Sequence, residues 1–120
     1  MKVCVTSLGQ NLSDNVDPKF GRCAYFIIVD TDSMEFKAEE NSAVTFSGGA
    51  GPAAVSQIAG FGAEVLLTGA VGPNAFRALS AAGIKVVTGA KGSVREAIED
   101  FKKGNASFTD SATAESHSGM

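Results

Sequence analysis

The sequence predicts a single α/β domain, a mixed five-stranded sheet carrying three helices. Two observations point there. Short β-branched and apolar runs fill the first third of the chain, and two further short strands then alternate with segments of helical spacing bounded by glycine. The length agrees: 120 residues with 44% apolar side chains bury roughly two thirds of their unfolded surface, enough for one core without disulfide staples.

Residues 2–7, KVCVTS, read as a strand beginning almost at the first residue. Residues 8–21 are turn-rich, with Gly9, Asn11, Asp14, Asn15, Asp17 and Pro18, a loop long enough to be functional. CAYFIIVD, residues 23–30, is a near-continuous apolar run, as in a strand covered on both faces. The polar turn Asp30-Thr31-Asp32-Ser33 then predicts a hairpin, with residues 35–43 returning as a more exposed strand.

A first helix is expected from Pro52, with Val55, Ile58 and Ala59 facing inward, ended by Gly60 and Gly62. VLLT at 65–68 is a strand. A second helix opens at Gly72-Pro73-Asn74, turns Phe76, Leu79 and Ala82 to the core and closes at Gly83. IKVVT at 84–88 is the last strand. The third helix is the best marked: Ser93 and Glu96 form a capping box, Val94, Ala97, Ile98 and Phe101 make the buried stripe, and Gly104 follows the end. Residues 105–120 lack periodicity and read as a flexible tail after a domain at 1–104. An antiparallel hairpin fused to two parallel β-α units gives the mixed sheet.

Composition narrows the function. The net charge is −3 and no basic run exists, so nucleic acid is not an expected partner. No apolar stretch approaches a membrane span, and Met1-Lys2 leads straight into a strand, so a cytoplasmic location with Cys4 and Cys23 as free thiols is expected. Two cysteines and one histidine are too few for a closed zinc or iron-sulfur cage. No histidine lies in the predicted domain to serve as a base, so nucleophilic catalysis is not expected and the protein reads as a non-enzyme.

Ten of the 14 glycines fall between Gly48 and Gly92, with clusters just before each predicted helix. These are Gly48-Gly49-Ala50-Gly51-Pro52, Gly69-Ala70-Val71-Gly72-Pro73-Asn74 and Gly89-Ala90-Lys91-Gly92-Ser93. The last two echo one another, LLTGAVG against VVTGAKG. Glycine here either lets backbone amides approach an anion at a helix N-terminus or simply makes a tight turn. No GxGxxG or GxxxxGK[ST] pattern is present, so nucleotide binding is not indicated. Cys23, beside Arg22, is either a partly ionised ligand or a small core residue. His117, in the tail, is a solvated side chain or a mobile metal ligand.

Three motifs in order, Phe20-Gly21-Arg22-Cys23-Ala24-Tyr25-Phe26, Gly48-Gly49-Ala50-Gly51 and Gly72-Pro73-Asn74-Ala75-Phe76, resemble the dinitrogenase iron-molybdenum cofactor biosynthesis family. That family includes NifX-like proteins, the C-terminal domain of NifB-type enzymes and many small stand-alone prokaryotic members. The resemblance covers about residues 1 to 104. It implies a ribonuclease H-like fold and a non-catalytic carrier or accessory protein of cofactor biosynthesis, related to nitrogen fixation. Such a carrier binds an iron-sulfur or iron-molybdenum type cluster or its precursor and exchanges it with cluster-assembly proteins as donor and acceptor.

A nuclease of that architecture needs a carboxylate on the first strand, and residues 2–7 have none. Some members carry histidines in the loop before the first helix, where this chain has Thr45-Phe46-Ser47-Gly48-Gly49, and its tail holds only His117. The expected cofactor-binding residues are Arg22, Cys23, Gly48, Gly49, Gly51, Gly69, Gly72 and Asn74, with Cys23 and His117 as metal ligands, in a monomer or weak homo-oligomer. The alternative reading is a small-anion or metabolite binding module without metal.

Overall fold

The computed structural model describes residues 1–43 and 49–110. Its elements follow the expected order: β1 (Lys2–Ser7), β2 (Tyr25–Asp30), β3 (Phe36–Glu40), α1 (Ala50–Gly60), β4 (Val65–Leu67), α2 (Pro73–Ala81), β5 (Lys85–Val87) and α3 (Val94–Lys102). The sheet order is β3-β2-β1-β4-β5. β1 is central, antiparallel to β2 and parallel to β4, which is why it is buried from Val3 to Ser7.

Strand alternation divides the core between two faces. Cys4, Phe26, Ile28, Leu66 and Val86 meet Ala54, Val55 and Ile58 of α1 and Ala75 and Leu79 of α2. Val3, Val5, Ile27, Val29, Leu67 and Val87 meet Val94, Ala97 and Ile98 of α3, joined by Leu12 and Val16 from the long loop. So α1 and α2 share one face and α3 takes the other. Among the described residues no helix is long and apolar enough to cross a membrane.

Several boundaries differ from expectation for local reasons. β2 starts at Tyr25 because Cys23 N–H turns back to the Phe20 carbonyl and Ala24 N–H goes to the Asp17 carboxylate. β3 ends at Glu40 because the Asn41 side chain takes the Ala43 amide and turns the chain. α1 begins at Ala50, set by Gly49 at φ 71, which leaves Pro52 inside the first turn where no intrahelical donor is missed. Ala59 and Ala82, expected inside, are exposed. Ala54 and Ala75 fill those helix faces, and Ala82 is already the cap where Gly83 turns the chain to β5.

The sequence echo has a structural counterpart, since the loops after β4 and β5 bond to each other: Gly89 N–H to Gly69 O at 2.9 Å and Ala90 N–H to Thr68 O at 3.0 Å. Past α3, Thr109 donates its amide to Val86 O at 2.7 Å and shares a hydroxyl contact with Thr88, while Phe108 packs near Phe101. Residues 105–110, expected as the start of a tail, thus lie along the edge of β5.

Candidate functional site

Three segments close around a cleft of about 520 Å³: residues 18–22 from the long loop, 49–52 at the start of α1, and 70 with 72–75 at the start of α2. Tight backbone packing sets its shape. A Cβ on Gly21 would lie 3.2 Å from Gly51 N, and one on Gly51 would lie 3.0 Å from the Ala75 Cβ, so the loop and both helices meet closely beneath the cleft. Among the described residues, Lys19 and Arg22, both exposed, are the only charged residues on its lining.

Both helices that open here lack a side-chain cap, with Gly49 and Gly72 at the N-cap positions. First-turn amides have no intrahelical partner, and each terminus carries about half a positive charge, so amides, dipoles and two cations converge on one space. On the opposite face the N-terminus of α3 is closed by its own chain. Val94 N–H donates to Asp14 O, Arg95 N–H to Leu12 O, Glu96 N–H to Ser93 Oγ, and the Glu96 carboxylate accepts Ser93 N–H at 2.9 Å. The hydrogen bonds with Ser93, first that from its backbone amide, hold the Glu96 carboxyl below the usual carboxylate range. The third glycine cluster therefore offers no open helix end, although it follows a strand as the other does.

The structure brings Arg22, Gly49, Gly51, Gly72 and Asn74 together at the cleft. Asn74 Oδ1 accepts from Arg77 Nη2, which leaves its Nδ2 as the donor end. Gly69 is not on the lining. Its role is packing: a Cβ there would lie 2.6 Å from Pro18 Cα and 2.6 Å from Pro18 O, where Ala70 N–H bonds that carbonyl. Gly48 and His117 lie outside the described residues.

Cys23 is also absent from the lining. It is fully buried in the α1/α2-face core with Cys4, while its neighbour Arg22 turns to solvent. Adjacency to Arg22 therefore does not favour thiolate. Burial pushes the Cys23 thiol far above its ordinary range, the Asp17 carboxylate pushes it further, and a hydrogen bond from Asn41 opposes this only in part. Cys4 is raised for the same first reason, burial, and then by Cys23. Cys23 thus stands as a core thiol in this conformation. Among the described residues no three His, Cys, Asp or Glu side chains gather to hold a metal ion.

Thiols protonated in the fold but ionising near pH 8.5 when unfolded contribute stability in full below about pH 8.5 and lose it as pH rises beyond that. The denaturation midpoint should fall between pH 8 and 10, and Cys23→Ser should flatten that fall. Equal slopes in both proteins would contradict it.

Two polar residues that sequence reading passed over support the cleft. Asp17 and Asn41, both buried, bond the backbone on either side of Arg22. Their signal was only that of turn residues, the commonest use of Asp and Asn in loops.

Comparison with known proteins agrees with this architecture. The family described as "Dinitrogenase iron-molybdenum cofactor" matches residues 1–104. The apo form of the orange protein from Desulfovibrio gigas is similar at 43% identity, covering 93% of this chain and 95% of its own, with a TM-score of 0.92. A putative NifB protein from Thermotoga is similar at 39% identity, covering 89% and 91%, with a TM-score of 0.78. An uncharacterised protein of Methanocaldococcus jannaschii is 31% identical over 87% of this chain and 92% of its own length. Sequence motifs, fold and relatives converge, and the chain belongs to the dinitrogenase iron-molybdenum cofactor family.

Proposed function

We propose that the protein is a non-catalytic carrier or accessory protein that holds an anionic cluster, of iron-sulfur or iron-molybdenum type, or its precursor, in the cleft between residues 18–22, α1 and α2. The observation that carries this reading is the meeting of two helix N-termini without side-chain caps with Lys19 and Arg22 on a lining that, among the described residues, holds no carboxylate. A cluster that brings its own sulfides needs no thiolate from the protein; amide N–H groups and cations suffice to hold its negative charge. Family membership and the resemblance to the orange protein support a role in cofactor handling.

In this reading the cluster is cargo. Exposed cationic side chains at an open rim release it as readily as they take it up, which suits exchange with assembly proteins that donate and accept it. The sheet order, with two antiparallel and two parallel pairings, supports the ribonuclease H-like class. A cytoplasmic monomer or weak homo-oligomer fits the same role.

Anaerobic incubation with iron, sulfide and molybdate, followed by gel filtration and absorption spectroscopy, tests the reading. The wild-type chain is expected to retain a chromophore, and Cys23→Ser to retain it equally, since that thiol is buried away from the cleft. Loss in Cys23→Ser alone would replace the non-covalent site with thiolate ligation. No retained chromophore, with thermal stabilisation by phosphate compounds instead, would favour the small-anion module.

A further inference from the structure

We propose that Asn41, just past β3, is a positioning residue of the cleft: it holds the turn at residues 20 to 23 so that Arg22 stands at the rim. This rests on the anion-carrier reading above. Asn41 is 3% exposed, and its side-chain amide is fully employed. Nδ2 donates to Gly21 O at 3.1 Å and to Cys23 O at 3.0 Å, the carbonyls of the two neighbours of Arg22. Oδ1 accepts the Ala43 amide at 2.9 Å, and the Asn41 backbone N–H donates to Ala24 O at 3.1 Å.

Asp17 completes the clamp from the other side. Its carboxylate, 7% exposed, accepts Lys19 N–H at 3.0 Å and Ala24 N–H at 3.3 Å. The backbone that carries both cations of the cleft is therefore bonded from two directions, by one side chain of its own loop and one from the segment after β3. A side chain whose carrier backbone is already fixed loses less freedom when it meets a ligand, so the clamp raises affinity without touching the anion.

The competing explanation is that Asn41 only contributes to global stability. The two buried cysteines separate these ideas. Cys23 lies inside the clamped turn, and Cys4 lies in the central strand, so a local opening exposes the first and a global one exposes both. In the full chain, well below the unfolding midpoint, Asn41→Ala should raise iodoacetamide labelling of Cys23 about tenfold with Cys4 unchanged, the loss expected for one or two buried hydrogen bonds. Asn41→Ser, which keeps a short donor, should fall between wild type and Asn41→Ala, and it serves as the working variant if the alanine protein does not fold. Equal acceleration at both cysteines would overturn the proposal.

Binding gives the second readout. Molybdate titration should show Asn41→Ala weakening affinity about tenfold in the wild-type background but less than about twofold when Arg22 is already Ala, because a residue that acts through Arg22 has nothing left to position. The same loss in both backgrounds would overturn it. No molybdate binding by the wild-type chain would remove the carrier reading, and with it the purpose assigned to Asn41. The labelling ratio would still report its hold on the turn.

Discussion

Gly69→Ala is expected to destabilise the fold by about 3 kcal/mol, a fall in melting temperature of roughly 10 °C for a domain of this size. The added Cβ would lie 2.6 Å from both Pro18 Cα and Pro18 O. Neither atom can retreat cheaply, because the Pro18 carbonyl accepts Ala70 N–H at 3.0 Å and the next residue, Lys19, bridges to Ala70. Relief requires the loop that forms one wall of the cleft to move away from the loop that forms another. Gly60→Ala is the matched control, since a Cβ there has nothing within 4 Å, and it should be neutral or slightly stabilising. Chemical denaturation of the two variants decides the matter, and a Gly69→Ala protein within about 0.5 kcal/mol of wild type would show that the two loops are not rigidly joined.

The largest functional effect is expected from reversing the two cleft cations. Lys19→Glu with Arg22→Glu should weaken molybdate binding about a hundredfold or more, from the loss of two charge-assisted contacts and the repulsion that replaces them. It should also abolish chromophore retention. Both side chains are exposed, so the folding midpoint should change little. Lys91→Glu, on the glycine loop before the closed end of α3, is the comparison, with an expected change below about twofold at physiological salt. If Lys91→Glu matched the double reversal, net charge rather than the cleft would account for binding.

Much of the fold was legible in the sequence because its signals are local. A run such as residues 23–30, a capping box at Ser93 and Glu96, and glycine at the helix ends each act within a few residues of themselves. The site was legible only in part. Two of the three glycine clusters do line one cleft, but which two depends on α1 and α2 sharing a face of the sheet while α3 takes the other. Nothing within one loop encodes that choice.

Gly69 and Gly72 stand three residues apart in one cluster, yet one packs against Pro18 and the other opens a helix. The same limit governs Cys23. Its neighbour in sequence is a cation, but successive side chains point apart, and the thiol went to the core as Arg22 went to water. Asn41 is 18 residues from Cys23 in the chain and bonded to it in space, a relation only the hairpin creates.

The paired loops of the echo also make the molecule its own comparison. In α3 the third residue after the N-cap is Glu96, which folds back and plugs the helix end with the chain's own carboxylate. In α2 the third residue after Gly72 is Ala75, whose Cβ faces the spot 3.0 Å away that a side chain on Gly51 would take. A glutamate at 75 would have to push α1 aside to reach its socket. The close seating of two helices thus leaves no room for a self-capping carboxylate at residue 75, while the twin helix end across the sheet is stoppered by Glu96.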